Sequence, residues 1–371
     1  MTNNLPWYAL KNTESVISPS LLVYSERIEH NIRTMLKISG NVDFLRPHIK
    51  THKSAEVIKL QLQQGIYKFK CATIAEAELL AKCHAPDVLL AMQPVGANIE
   101  RFFKLTETFP NTKFSTLVDH PSILEQITKK ANAKNRKVSL WMDINTGMNR
   151  TGILPDETAI ELYRKMAAEP NIRPMGFHAY DGHIRNTDVV ERKKECDKAF
   201  EKVLSLKSKL ISEGIEIKNI VAGGSPTFPF HAKREDIEAS PGTTLLWDAG
   251  YESLFPEMNF LPAAVLFTRI ISKPAKNTLC TDLGHKSLAS EMPFPRVQFL
   301  NVDDWNQKGQ SEEHFVIDCE NSQNYHVGDT AYAIPMHICP TVAKYKYLQV
   351  VSDGEIIDSW KVAARNQTLT L

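Results

Sequence analysis

Five basic side chains fall within the eight residues Arg46-Pro47-His48-Ile49-Lys50-Thr51-His52-Lys53. An amine crowded by other cations gives up its proton more readily and can attack a carbonyl carbon to form a Schiff base, which singles out Lys50. A lysine picked blindly is far more often a solvated surface residue. A second constellation is His337-Ile338-Cys339 in PMHICPT. On a strand, residues two apart face the same way, so imidazole and thiol converge while Ile338 turns away. Nitrogen and sulfur together suit zinc, at roughly 2.0 to 2.3 Å per bond, and two protein ligands leave open positions for water or substrate. The bland alternative is a buried cysteine beside a hydrogen-bonded histidine.

Other polar groups cluster at the ends of β-type runs. Arg150 lies between Gly147 and Gly152 in DINTGMNRTG, and GFHAYDGHIR supplies His178, Tyr180, Asp181, His183 and Arg185. AGGSPTF carries Gly223, Gly224 and Ser225, whose backbone N–H groups and hydroxyl can meet a phosphate, and SPGTTLLWD adds Gly242 and Thr243. Each taken alone is more often an ordinary turn. Gathered on one rim, a lysine, an arginine, an aromatic hydroxyl and a phosphate cradle are the parts that hold pyridoxal phosphate.

One rim requires a fold that delivers strand ends to one face. From residue 20 the chain alternates β-type and amphipathic runs, with candidate strands at 20–25, 42–48, 67–73, 87–92, 113–119, 137–144, 172–180 and 217–224. Eight strand–helix units over about 230 residues predict a (β/α)8 barrel, whose active groups sit at strand C-termini. A doubly wound sheet is the alternative, and it more often shows a Gly-rich turn after its first strand; here that turn reads VYSERIE. After about residue 250 short β-runs predict a β-domain, with a hairpin at Asp353-Gly354. The expected organisation is an N-terminal segment 1–19 packing with the β-domain, a barrel over 20–250, and a C-terminal β-domain over 251–371.

Composition narrows the partners. The chain has 371 residues, with 44 Lys and Arg against 43 Asp and Glu, so no basic field favours a nucleic-acid backbone. No apolar stretch reaches the roughly 18 to 20 residues that span a bilayer, and no signal-like start is evident. Six scattered cysteines do not resemble the framework of a small secreted domain, so the expectation is a soluble cytoplasmic protein acting on a small molecule.

Taken as a set, RPHIKTHKS, DINTGMNRTG, GFHAYDGH, AGGSPTF, PGT, TDLGHKSLASE, SEEH and PMHICPT resemble the D-threonine aldolase and D-serine dehydratase group. These are relatives of alanine racemase with fold-type III pyridoxal-phosphate barrels. The resemblance spans nearly the whole chain. It implies a Schiff base on Lys50, Arg150 at the coenzyme's ring oxygen, Tyr180 near its pyridine nitrogen, and Gly223, Gly224, Ser225, Gly242 and Thr243 around its phosphate. It implies a divalent ion on His337 and Cys339, with zinc first and manganese or magnesium as alternatives. His183 matches a histidine that helps deprotonate the substrate hydroxyl, and the expected assembly is a homodimer. Aldolases of this group tend to carry His-x-Asp at the metal pair and dehydratases His-x-Cys, so Cys339 leans towards dehydration while the rest of the match leans towards aldol cleavage. The expected reaction is retro-aldol cleavage of a D-β-hydroxy-amino acid to glycine and an aldehyde. D-serine or 3-hydroxyaspartate dehydration is the alternative. Racemisation ranks lower because it needs no metal, and a non-catalytic coenzyme carrier lower still because it needs neither metal pair nor β-domain.

Overall fold

In the computed structural model, which describes residues 5–371, the chain forms two compact units. One comprises Met35–Lys50, Ile58–Gly242 and Asn366–Leu371; the other comprises the residues up to Thr34, Thr51–Val57 and Thr243–Arg365. No described helix is long and apolar enough to cross a membrane.

Strand β1 (Ser20–Tyr24) lies outside the barrel, and the first unit is built on a seven-stranded parallel sheet in chain order. Its strands are β2 (Lys68–Cys71), β3 (Asp87–Leu90), β4 (Lys113–Val118), β5 (Val138–Asp143), β6 (Ile172–Ala179), β7 (Asn219–Ala222) and β8 (Ile237–Ala239). Parallel neighbours need helical crossovers, and the amphipathic runs supply them, the longest being Val189–Ser212, capped by Asp188. Bridges from Leu45 to Ala239 and from His48 to Lys70 join the two outer strands, so residues 45–48 occupy the eighth position of the barrel. Arg46 N donates to Ala239 O at 2.9 Å, and Lys70 N donates to Pro47 O at 2.9 Å. Pro47 lacks an N–H and a 3-10 turn at Val42–Phe44 precedes it, which keeps this position from becoming a full strand.

Two strand assignments are corrected. The run 20–25, expected as the barrel's first strand, belongs to the other unit, where β1 pairs parallel with β15 (Tyr347–Ser352) and antiparallel with β9 (Ala264–Ala275). A short apolar run buried on both faces suits either sheet, and its partners lie more than two hundred residues away in sequence. The missing barrel strand is β8, three residues long and interrupted by Glu238, whose charge disguises it. Glu238 faces inward: Arg46 Nε lies 2.5 Å from its carboxylate and Lys68 Nζ 2.7 Å. The other side of the Arg46 guanidinium meets Asp87 at 2.6 Å.

The second unit carries a nine-stranded sheet along the path β12-β13-β10-β9-β1-β15-β16. Its further strands are β10 (Thr278–Thr281), β11 (Val297–Phe299), β12 (Asn306–Gln310), β13 (Phe315–Asp318), β14 (Thr330–Pro335) and β16 (Glu355–Lys361). β14 pairs with β9 and with β11, and β15 with β16 forms the hairpin expected at Asp353-Gly354. Leu10, Leu22, Val265, Phe267, Tyr332 and Val351 form its core.

Arg46 and Glu238 are both almost fully buried, so Glu238→Gln leaves a guanidinium short of one carboxylate in a dry interior. The expected loss is about 3 to 5 kcal/mol of unfolding free energy in a denaturant titration. A loss below about 1 kcal/mol would show that the pair is dispensable to the barrel.

Candidate functional site

Strand ends β2, β5 and β6 bring a set of charges to Tyr180, the residue that follows β6. Arg150 Cζ lies 4.9 Å from the centre of the Tyr180 ring, Lys70 Nζ 5.6 Å and Lys50 Nζ 5.7 Å. The tyrosine is held from both sides: Thr146 Oγ1 donates to its carbonyl at 2.8 Å, and its ring occupies space that side chains at two glycines would fill. A Cβ on Gly182 would fall 2.1 Å from its hydroxyl, and one on Gly224 would fall 3.0 Å from its ring.

Lys70 was not anticipated. It ends up inside the barrel because β2 is pinned just beyond it: Thr73 caps the next helix by accepting from Glu76 N, and Glu76 reaches back to Ala72 N at 2.7 Å. Across the barrel, Asp143 and His178 are register partners of β5 and β6. Asp143 Oδ1 lies 2.6 Å from His178 Nδ1, so Nδ1 carries the proton and donates it. Burial keeps His178 below the ordinary imidazole value despite Asp143, so the ring is neutral and its Nε2 lone pair faces Lys70 Nζ at 3.5 Å. Burial, and then the charge of Lys50, push the Lys70 amine down to about 7.

The basic run around Lys50 is not the source of this crowding. Arg46 is neutralised by Glu238 and Asp87, while Lys53 Nζ reaches Ala364 O at 3.4 Å. His52 is fully buried and burial drives it down to about 3, and His48 Nδ1 accepts from Lys50 N at 3.1 Å. The other cations at the Tyr180 ring come from β2 and from the loop after β5, distant in sequence.

Gly223 and Gly224 lie in the turn after β7, but their own amides are taken by acceptors on β6 and the loop after it. Gly223 N donates to Ala179 O at 3.0 Å, and Gly224 N donates to Asp181 Oδ1 at 3.1 Å. What the glycines provide is backbone freedom and room. Gly223 has a φ of +82°, and a Cβ there would fall 2.6 Å from His231. Ser225 Oγ accepts from Gly242 N at 3.2 Å, so the PGT segment is tied to this turn. Asp181 Oδ1 also accepts from Thr227 Oγ1 at 2.7 Å, and burial notwithstanding, His231 and these donors hold its carboxyl below the usual range.

Asp181, Cys196 and His231 are all buried, with ligand-type atoms within 4.8 Å of one another, a geometry in which a metal can be sought. The surrounding protons argue for a hydrogen-bonded relay. Arg234 Nη1 approaches His231 Nδ1 at 2.7 Å and can only donate, which leaves the imidazole proton on Nε2, 2.7 Å from Asp181 Oδ2. A metal-binding histidine needs an acceptor at its outer nitrogen, not a guanidinium. Burial and Asp181 push the Cys196 thiol up to about 12, so it stays protonated.

His183 is exposed and sits apart from these contacts, its Nε2 only 3.1 Å from where a Gly147 Cβ would stand. It lines a cavity of about 260 Å³ with Thr146, Ile184, Glu195, Lys198 and Lys202.

In the second unit, His337 and Cys339 are not on a strand as expected. β14 ends at Pro335, His337 is the extended cap residue, and Cys339 is the second residue of the helical turn Ile338–Val342. The two side chains still meet, joined by a hydrogen bond. Burial lowers His337, but its hydrogen bond to Cys339 and then Glu291 carry it up to about 9. Glu291, another residue the sequence did not single out, lies 2.6 Å from His337 Nδ1. A carboxylate behind Nδ1, with Nε2 left for another partner, is the pattern a metal-binding histidine needs. The hydroxyls of Thr51 and Thr243 lie 3.1 and 3.6 Å from Cys339 Sγ. Each directly follows a residue of the expected coenzyme site, Lys50 and Gly242.

Both expected groups are therefore matched in donor chemistry, cations around an aromatic ring for an anionic coenzyme and imidazole, thiol and supporting carboxylate for a divalent ion. Comparisons with known proteins give the family. Residues 23–248 match the family described as alanine racemase, N-terminal domain, and residues 263–351 match a serine dehydratase domain. The chain belongs to the alanine racemase N-terminal domain family. It is similar to the D-threonine aldolase of an Arthrobacter species, at 25% identity over 94% of this chain and 93% of that one. The D-serine dehydratase of Dictyostelium discoideum is 23% identical over 93% and 96%. The solved D-threonine aldolase of Filomicrobium marinum superposes with a TM-score of 0.85 at 24% identity, covering 94% of this chain and 95% of its own. The resemblance read from the motifs is met, and so is the expectation of an alanine racemase-like fold.

Because Asp181 ties Gly224 N and Thr227 Oγ1 together, Asp181→Asn should loosen the turn after β7. Hydrogen–deuterium exchange is expected to speed up at least tenfold for the amides of residues 223–228, with the helix 189–212 unchanged. Unaltered exchange in that turn would mean that Asp181 does not organise it.

Proposed function

We propose that this chain is a lyase of D-β-hydroxy-amino acids, dependent on pyridoxal phosphate and a divalent metal, that cleaves Cα–Cβ to give glycine and an aldehyde. The observation carrying this reading is the grouping of Lys50, Arg150 and Tyr180 at strand ends of the barrel, in a chain that also pairs His337 with Cys339. The curated relatives named aldolases and dehydratases support the reaction class.

When bound, pyridoxal phosphate supplies an electron sink for the pair left at Cα. Lys50 would tether it through its aldehyde carbon, and the Arg150 guanidinium would hold its ring oxygen. Tyr180 would lie near the pyridine nitrogen. Gly223, Gly224, Ser225, Gly242 and Thr243 would surround the phosphate, with the serine and threonine hydroxyls as natural donors. His337 and Cys339 would hold the ion, zinc by ligand softness, with Glu291 fixing the imidazole. A divalent ion would supply Lewis acidity that eases loss of a hydroxyl proton, and His183 would accept the proton of the substrate's β-hydroxyl.

Cys339 favours a second reading, in which Lys50 takes the α-proton and the β-hydroxyl departs, giving a keto acid and ammonia. A homodimer in the cytoplasm completes the proposal. No cysteine forms a disulfide among the described residues, in keeping with a reducing compartment.

Incubation with D-threonine and D-serine, with assays for aldehyde, glycine, keto acid and inverted amino acid, tests both readings. Aldehyde with equimolar glycine is expected, and a chelator should stop turnover while the visible coenzyme absorbance remains. Keto acid alone would favour dehydration, and full activity in metal-free protein would refute the role of His337 and Cys339.

A further inference from the structure

The proposed chemistry uses Lys50, Arg150 and Tyr180 but leaves the third cation at that ring unexplained. Lys70 is only 2% exposed, and among the described residues no carboxylate lies within ion-pair distance of its amine. A buried lysine of this kind is costly. The contrast with Arg46 is direct, since that guanidinium meets two carboxylates in the same barrel. The amine of Lys70 instead points at a neutral imidazole, itself locked by Asp143 with its lone pair turned inward. The site is built to accept a proton on Lys70 and to leave its charge uncompensated, which is the arrangement expected where an anion is to be received.

We propose that Lys70, seated on the His178–Asp143 pair, is a third cation of the coenzyme site, acting with Arg150 on an anionic pyridoxal ring bound against Tyr180. The inference rests on the reading of Lys50, Arg150 and Tyr180 as a coenzyme site. Once Lys50 is consumed as the tether, Arg150 and Lys70 are the cations left at the ring.

The charged groups facing Lys70 are Lys50 and Arg46 from the segment 46–50, Asp143 at the end of β5, and His178 and Asp181 from β6 and its loop; Arg150 acts on the neighbouring His178. Their balance, with burial, leaves its amine titrating near 7. The charge is present below that value and is lost as pH rises through it. Its contribution to anion binding therefore exists on the acid side and fades on the alkaline side.

Pyridoxine 5′-phosphate has no aldehyde, so it reports binding without a bond to Lys50. Its dissociation constant is to be measured by fluorescence quenching from pH 6 to pH 9 for the wild-type protein, Lys70→Met and Lys70→Arg. Ratios between proteins cancel the ligand's own ionisation. The methionine variant is expected to bind about tenfold more weakly than wild type at pH 6 and within twofold of it at pH 9. The arginine variant, charged throughout, should match wild type at pH 6 and bind several-fold more tightly at pH 9. Ratios that do not change with pH would overturn the proposal, because a packing role has no reason to follow a proton. Should the methionine variant not fold, the ratio of wild type to the arginine variant decides by the same criterion. Failure of the underlying reading looks different: wild type itself would then neither bind pyridoxine phosphate nor develop a Lys50-dependent visible band with pyridoxal phosphate.

Discussion

Three cations gathered around one aromatic ring are a standing electrostatic cost, and the architecture around Tyr180 is organised to bear it. Lys50, Lys70 and Arg150 all lie within 6 Å of that ring's centre, and none is ion-paired among the described residues. Of the three only Lys70 is buried, Lys50 being half-buried and Arg150 exposed, so the cost falls on Lys70, which meets it by shedding its proton or by receiving an anion. The quadrupole of the ring offsets part of this, and the His178 lone pair offers Lys70 a neutral seat. The remaining devices hold the tyrosine and lysine where they are: the reciprocal cap at Thr73 and Glu76, and the absence of side chains at Gly182 and Gly224. The same barrel shows the opposite solution at Arg46, where two carboxylates remove the cost and no capacity for an anion is left.

The two histidine–cysteine constellations differ in how their protons are placed, one suited to a relay and the other to receiving a cation. His231 has a guanidinium at one nitrogen and a carboxylate at the other, so both are committed. His337 has a carboxylate at Nδ1 and a thiol within reach of the rest of the ring, and it is partly open to solvent. Proximity of ligand atoms alone would have favoured the first site. The identity of the group behind the imidazole favours the second.

Much of the fold was legible in the sequence, because alternation of β-type and amphipathic runs reflects local burial. Seven of the eight barrel positions, the one at residues 45–48 and the six from 67 to 224, stand where periodicity puts them. Periodicity says nothing about which sheet a doubly buried strand joins, so Ser20–Tyr24 was assigned to the barrel although it pairs with β9 and β15. It also overlooks strands with inward charges, as at Glu238. The site was legible in the motif residues Lys50, Arg150 and Tyr180, whose types and turns advertise chemistry. Lys70, Asp143 and Glu291 were not. Each matters through a partner far away in sequence, and a lone lysine in YKFKCAT looks like a solvated strand residue. The one available signal was that Lys70 and Lys68 fall on the same face of a strand whose other residues are apolar, so both point into the barrel.

Covalent anchoring of an aldehyde coenzyme by the amine of Lys50 is the role proposed for this cationic setting. Borohydride reduction of the coenzyme-loaded protein, followed by peptide mapping with mass spectrometry, tests it most directly. One phosphopyridoxyl group per chain on Lys50, with Lys70 unmodified, is the predicted result. A reduced adduct confined to Lys70 or to surface lysines, with Lys50 bare, would contradict it.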